Sequence, residues 1–116
     1  MNEIKESIFR EYDIRGIVAD ELQDDVVERI ASAFATVYVR EKKKNIVVAM
    51  DGRPSSERIK GIVVSCLYKY GLNILDIGLV PTPVLYYGVF KMDMDGGIII
   101  TASHNPSEYN GFKALV

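Results

Sequence analysis

Apolar residues recur along the chain with periods that change from segment to segment, and each period predicts an element. From Leu22 onward they return at helical spacing, which indicates an amphipathic helix from about residue 22 to 42. Residues 9–18, which read FREYDIRGIV, show no period and mix aromatic, acidic and basic side chains. We expect them to form an extended segment with a turn at Gly16.

Three short apolar runs further along the chain are typical of buried strands, and they read NIVVAMD, LNILDIG and GGIIIT. A helical stretch, SERIKGIVVSCLYKY, follows the first run; Ser55 or Ser56 can cap it, and Gly71 would end it. A short helix follows the second run, with Thr82 as its cap and Pro83 at its first position. The final stretch, NGFKALV, is expected to form a short fourth strand or the start of one.

The alternation of helices and strands predicts one α/β domain over residues 1–116. Its expected architecture has three layers, α/β/α, around a mixed, mostly parallel sheet of about four strands. Ligands of such sheets bind outside the carboxyl ends of the strands, where the loops DGRPSS, GLVPTP and TASHNP would lie. The last loop directly follows the apolar run 98–100, and we expect that buried strand to hold the loop rigidly.

Composition and charge narrow the class of protein. A net charge of −2 argues against nucleic-acid binding, which usually requires a basic stripe. The single cysteine, Cys66, excludes an internal disulfide framework and a cysteine-based zinc site. The amino terminus is too charged for a signal peptide, and no apolar stretch approaches the ~18 residues that suggest a membrane span. We therefore expect a cytoplasmic protein with neither a membrane nor a nucleic acid as partner.

The polar residues of the predicted loops allow more than one interpretation. Ser103 and His104 are adjacent, but neighbouring side chains in an extended segment point in opposite directions, which disfavours a hydrolase pair. A plain polar turn before Pro106 is the alternative that local composition favours. Arg53, in the sequence DGR, either donates hydrogen bonds from its fork-shaped guanidinium to a phosphate or is part of a tight turn.

Four motifs occur in an order and spacing that we recognise: FREYDIRG, DGR, TASHNP and YNGFK. The first begins at Phe9 and the last ends at Lys113, and over residues 8–113 the chain resembles the α-D-phosphohexomutase family. The phosphomannomutase/phosphoglucomutase branch is the most similar, because the phosphoglucosamine mutase relatives typically open with a different motif. The resemblance implies a truncated first domain of a four-domain enzyme, which alone is not expected to turn over substrate.

The resemblance also implies roles for individual residues. Ser103 would carry a phosphoryl group and give it to a hexose phosphate; the bound bisphosphate would then turn around and return its other phosphate to the serine. Lys113 would be the general acid or base, and His104 would flank the phosphoserine in the catalytic group. Substrate and phosphate would be bound by four further residues: Tyr12, Arg15, Arg53 and Asn105.

The implied reaction interconverts hexose 1-phosphate and hexose 6-phosphate. Its expected cofactors are Mg²⁺ and, as activator, a hexose 1,6-bisphosphate. The phosphate on Ser103 would supply one metal oxygen, and the other ligands are expected outside this chain. The expected partners are the hexose phosphate substrate and the remaining domains of the enzyme. The alternative is a non-catalytic sugar-phosphate-binding or regulatory module of the same fold.

Overall fold

The computed structural model describes residues 11–116, apart from the side chains of residues 82, 83, 86 and 90. Phe9 and Arg10 of the FREYDIRG motif therefore lie outside the described part. The elements of that part follow in this order: β1 Glu11–Ile17, α1 Val18–Glu21, α2 Asp24–Arg40, β2 Asn45–Met50, α3 Ser56–Lys69, β3 Asn73–Leu79, α4 Thr82–Lys91, β4 Gly96–Ile100 and β5 Tyr109–Leu115.

The strands form one mixed sheet in the order β1-β5-β4-β2-β3. β2 pairs in parallel with β3 and β4, whereas β5 is antiparallel to both β4 and β1. The predicted α/β class is confirmed, but within residues 11–116 the sheet has five strands instead of about four. The additional strand is β1, and Gly16 lies inside it, opposite Asn110, instead of forming the expected turn. Residues 11–15 are all exposed, so no apolar period marks this strand.

Helices cover both faces of the sheet, so the central strands are buried on both sides. Ile46 and Val48 of β2 contribute to the core under α2 and α3, and the alternate residues Val47 and Ala49 contribute to the core under α4. This double burial explains the continuous apolar run of β2, which is characteristic of parallel sheets. It also holds the carboxyl ends of β2 and β4 in fixed positions.

The helix predicted over residues 22–42 is shorter than expected. The chain forms the brief α1, leaves helical geometry at Leu22 and Gln23, and begins α2 at Asp24. Leu22 has only 2% of its surface exposed, so its apolar character reflects burial in the core and not membership of the helix. Among the described residues, no helix has both the length and the apolarity needed to cross a membrane.

The predicted helix caps are partly wrong. Ser55 occupies the N-cap position of α3 but makes no capping side-chain hydrogen bond, and its hydroxyl accepts a hydrogen bond from Asn110. α4 begins at Thr82 itself, with Pro81 in the N-cap position. The predicted end of α3 is confirmed, since Gly71 follows the helix with a φ of 83°, a left-handed conformation that glycine adopts readily.

Candidate functional site

All five described strands have one end at the same edge of the sheet, which we name the carboxyl edge: the ends of β1, β2, β3 and β4 and the start of β5. The N–H of Asp51, just after β2, donates to the carbonyl of Ile100 at 3.0 Å. The N–H of Thr101, just after β4, donates to the carbonyl of Gly111 at 2.9 Å. The loops DGRPSS and TASHNP are therefore neighbours, as the sequence predicts.

Arg53 joins these two loops. Its guanidinium donates to the carbonyl oxygens of Ser103 at 2.7 Å, Pro106 at 2.7 Å and Tyr109 at 3.2 Å. It also donates from Nε to Oδ2 of Asp51 at 3.0 Å, and only 11% of the side chain is exposed. The structure thus places Arg53 beside Ser103, but with most of its donors bonded to the loop itself.

Asp51 is the acceptor around which both loops are arranged. Its carboxylate accepts hydrogen bonds from the Ser56 hydroxyl at 2.8 Å, the Arg53 N–H at 3.2 Å and the Thr101 hydroxyl. Partial burial acts to raise the pKa of Asp51, but the hydrogen bonds from Thr101, Ser56 and Arg53 outweigh it and hold that pKa below its ordinary value. Asp51 is therefore a carboxylate at neutral pH.

Ser103 has an uncommon backbone conformation, with a φ of 55°. Residues other than glycine rarely adopt this left-handed region, which costs about 1–3 kcal/mol and persists only where the surroundings enforce it. Its N–H donates to the Thr101 side-chain oxygen at 3.0 Å, and its carbonyl accepts from Arg53. The next turn is closed by the N–H of Asn105, which donates to the Ala102 carbonyl at 3.0 Å. Ser103 is half-buried within this turn.

Arg15 connects β1 to the same loop. Its Nη1 donates to Oδ1 of Asn105 at 2.7 Å, and its Nε and Nη2 donate to the two carboxylate oxygens of Asp13, each at 3.0 Å. This hydrogen bonding lowers the pKa of Asp13 against the opposing effect of partial burial, and the charges of Arg15 and Lys113 lower it further. The structure therefore brings together two residues that were predicted to bind phosphate or substrate.

Lys113 lies on β5 between β1 and β4. It is opposite Asp13 in one pairing and opposite Ile99 in the other. Side chains of paired residues lie on the same face and alternate along a strand, so Lys113, Asp13 and Arg15 share one face of the sheet. Two cations and one carboxylate thus lie side by side near the carboxyl edge.

Two of the predicted site residues are placed differently from the rest. Tyr12 alternates with Asp13 and therefore lies on the opposite face, where its ring meets that of Phe34 edge-on at a centroid distance of 6.2 Å. Its role at a sugar site stays a prediction. His104 is exposed at the tip of the Ser103 turn.

Three polar residues that build the site are not among the residues that the sequence predicts for it. Asp51 and Thr101 anchor the Ser103 turn, and Asn110 is fully buried, where its amide donates to the hydroxyls of Ser55 and Ser56. A signal existed for Asp51 and Thr101, because each directly follows a buried apolar strand. Asn110 had a weaker signal: it is an amide at the start of a strand that is otherwise mostly buried.

An open depression of about 320 Å³ lies beside the Ser103 turn, lined by Asp51, Gly52, Arg53, Pro54, Asn105 and Ser107. Within residues 11–116, no group of three or more His, Cys, Asp or Glu side chains is arranged to hold a metal ion.

Comparison with known proteins agrees with this fold and these motifs. Residues 6–116 match the family model for phosphoglucomutase/phosphomannomutase, alpha/beta/alpha domain I. The match covers nearly the whole chain, so the chain belongs to the phosphoglucomutase/phosphomannomutase family.

Individual relatives carry the same names. A phosphomannomutase/phosphoglucomutase of Pseudomonas syringae pv. tomato is 37% identical over 113 residues, and a phosphomannomutase of Escherichia coli (strain K12) is 41% identical over 111. These matches cover 97% and 96% of this chain but only 24% of each relative. A crystal structure of a phosphoglucomutase/phosphomannomutase family protein from Burkholderia thailandensis, 38% identical, has a TM-score of 0.82 over 97% of this chain and 26% of that one.

Proposed function

We propose that this chain is the phosphoryl-carrying part of an enzyme that interconverts hexose 1-phosphate and hexose 6-phosphate. Ser103 is the proposed carrier. The observation that supports this most is the conformation of Ser103, a left-handed residue at the end of a buried strand, with its N–H and its carbonyl both hydrogen-bonded. Such backbone conformations occur preferentially at functional sites.

The proposed transfer begins with a phosphate on the Ser103 oxygen. A hexose phosphate hydroxyl attacks the phosphorus, the bond from phosphorus to Oγ breaks, and a new bond to the sugar oxygen forms. The hydroxyl proton ends on Ser103 Oγ, with Lys113 as the proposed relay, and the product is a hexose bisphosphate. The reverse transfer from the other phosphate of the turned sugar restores the phosphoserine.

Charge near the carboxyl edge supports this proposal. A phosphoserine carries about −1.5 to −2 charges at neutral pH, and phosphoryl transfer depends mainly on positioning and charge stabilisation. Arg15 contacts the Ser103 turn through Asn105, and Lys113 lies on the same face of the sheet. Asp13 offsets part of this positive charge. Only the exposed part of the Arg15 side chain is therefore proposed to contact the phosphate.

The whole activity is proposed for a longer protein. The relatives above are about four times as long as the matched region, so we propose that other segments complete the substrate site and that the isolated chain does not turn over substrate. When bound, Mg²⁺ would neutralise phosphate charge, and this chain would contribute only the phosphate on Ser103. A hexose 1,6-bisphosphate is the proposed source of that phosphate.

Phosphate uptake tests the proposal directly. The chain is incubated with glucose 1,6-bisphosphate and Mg²⁺, and peptide mass spectrometry locates any added phosphate. We expect one phosphate on Ser103 that the Ser103→Ala variant cannot accept. Ser107→Ala is the matched control, because Ser107 lies exposed in the same loop, and it should retain uptake. Uptake at another residue, or undiminished uptake by Ser103→Ala, would contradict the proposal; binding of a hexose phosphate without transfer would favour the non-catalytic module.

A further inference from the structure

Arg53 bonds to one loop at three separate points. The loop runs from residue 101 to 109 between β4 and β5, and the three carbonyls that Arg53 reaches belong to Ser103, Pro106 and Tyr109. A guanidinium has five donors in a rigid planar arrangement, so a single side chain can hold several acceptors in one fixed geometry. With its Nε bonded to Asp51, Arg53 uses four hydrogen bonds within the protein.

Both sides of the Ser103 backbone lead to the same carboxylate. On one side the Ser103 N–H donates to Thr101, whose hydroxyl bonds to Asp51. On the other side the Ser103 carbonyl accepts from Arg53, which also bonds to Asp51. Asp51 follows β2, so a segment about fifty residues away in sequence restrains the strained residue from both directions.

We propose that Arg53 is a positioning residue and not a phosphate ligand: together with Asp51 it holds Ser103 in the left-handed conformation that presents its hydroxyl for phosphoryl transfer. The proposal rests on the assignment of Ser103 as the phosphate carrier. Its basis is that the guanidinium is almost entirely covered and already bonded to three carbonyls, which leaves little of it to meet a phosphate. Phosphoryl transfer is sensitive to such positioning, since a displacement of about 1 Å can cost roughly 10²-fold in rate.

Arg53→Lys separates positioning from charge. Lysine keeps the positive charge and can still pair with Asp51, but its compact ammonium cannot reach three carbonyls in the geometry of a planar fork. If Arg53 acts through its charge, Lys should restore function that Arg53→Gln loses. If Arg53 acts through its fork, the Lys and Gln variants should behave alike. Arg58→Lys is the matched control, because Arg58 also bonds a carboxylate, Asp24, and a carbonyl, that of Leu22, away from this loop.

Amide hydrogen exchange reports on the loop without any need for activity. In Arg53→Lys we expect the N–H groups of Ser103 and Asn105 to exchange roughly tenfold faster, the factor that corresponds to the loss of about one net hydrogen bond. The three-bond coupling between HN and Hα of Ser103 should change as its φ leaves 55°. Amides of β2 and β4 should keep their exchange rates both in Arg53→Lys and in Arg58→Lys. Unchanged Ser103 exchange and coupling in Arg53→Lys would overturn the proposal.

Phosphate uptake provides the functional comparison. With glucose 1,6-bisphosphate and Mg²⁺, we expect Arg53→Lys to acquire phosphate on Ser103 roughly 10²-fold more slowly than the unmodified chain. Equal rates, despite a loosened loop, would overturn the positioning role. If the unmodified chain takes up phosphate at a residue other than Ser103, the carrier assignment fails, while the exchange data still decide whether Arg53 holds the loop. Should Arg53→Lys fail to fold by circular dichroism, Thr101→Val, which removes the bonds to the Ser103 N–H and to Asp51 but leaves Arg53 in place, is judged by the same two readouts.

Discussion

At the scale of single residues, the charge of Asp51 matters because it is partly buried and is stabilised there by hydrogen-bond donors. Three different side chains direct donors at its two oxygens, and together they lower its pKa despite the opposing effect of burial. A carboxyl group whose pKa is lower in the folded state than in the unfolded chain stabilises the fold above its ordinary pKa. That stabilisation is lost as pH falls through the lowered folded value.

The Asp51→Asn variant should therefore show a pH-dependent loss of stability. At pH 7 we expect the free energy of unfolding to fall by about 1–3 kcal/mol, because the amide replaces a charged acceptor and turns a donor toward other donors. The difference from the unmodified chain should narrow as the pH falls below about 4, the ordinary range for aspartate. Urea denaturation at a series of pH values measures this difference.

Asp25→Asn is the matched control for that experiment. Asp25 is exposed on α2 and lies 3.6 Å from Arg29, so its replacement should change stability by less than about 0.5 kcal/mol. A difference between Asp51→Asn and the unmodified chain that stays constant from pH 7 to pH 2 would show that hydrogen-bond geometry alone, and not charge, makes Asp51 important.

Sequence reasoning found residues whose type carries the chemistry, and missed those whose importance comes from a distant partner. Ser103 and Asn105 stand in a polar loop after a buried strand, and that local pattern was sufficient. Arg53 was predicted as a site residue, but its bonds to carbonyls 50 to 56 positions away could not be anticipated. Every residue has a backbone carbonyl, so the sequence does not indicate which of them accept. The opposite placement of Tyr12 depended on the pairing of β1, which was not predicted.

At the scale of elements, the buried helices and strands were predictable and the exposed strand was not. β2 and β4 are predictable from their continuous apolar runs, which occur because both faces of these strands are covered. β1 has no such run, and its strand geometry comes from hydrogen bonding to β5, almost a hundred positions further along. The two strands approach unusually closely, because a Cβ on Gly111 would lie 2.0 Å from the carbonyl oxygen of Ile14 and 2.9 Å from the Cα of Arg15.

Gly111→Ala should consequently weaken the pairing of β1 with β5. The added methyl group collides with backbone atoms, which cannot move as a flexible side chain would, so we expect a loss of at least about 1–3 kcal/mol. Urea denaturation measures the loss, and two-dimensional NMR should show the largest shifts in residues 11–17. Gly61→Ala is the control: apart from its chain neighbours and the backbone of its own helix, no atom lies within 4 Å of its Cβ position on α3. Replacing a helical glycine should stabilise by about 0.5–1 kcal/mol. A neutral Gly111→Ala would contradict the close approach.

At the scale of the whole molecule, the two faces of the sheet are covered unequally. α2 and α3 pack side by side on one face and enclose the larger core cluster. Among the described elements, α4 alone covers the other, and it buries Leu85 and Val89 while Tyr87 stays 63% exposed. Local stability follows the apolar contacts that an element buries, so the α4 face should open more readily than the α3 face.

Native-state hydrogen exchange can test this difference in local stability between the two faces. We expect amides of α4 to exchange through a partial opening, at least about tenfold faster than those of α3, whose exchange should require global unfolding. Low concentrations of urea should accelerate the α3 amides more steeply, because global unfolding exposes more surface. Equal exchange in both helices, with the same dependence on urea, would mean that the sheet and its two helical layers unfold as one unit.

The pairing of β1 with β5 has a consequence for the order in which the protein is made. Within the described sheet β5 is the single neighbour of β1, and Arg15 is synthesised 90 residues before Asn105, to which it bonds. A nascent chain on the ribosome therefore carries β1 as an unpaired strand while α2, β2, α3, β3, α4 and β4 are produced. The Ser103 turn and its partners from β1 come together only when the last described strand has emerged, so the site is among the final parts of the fold to form.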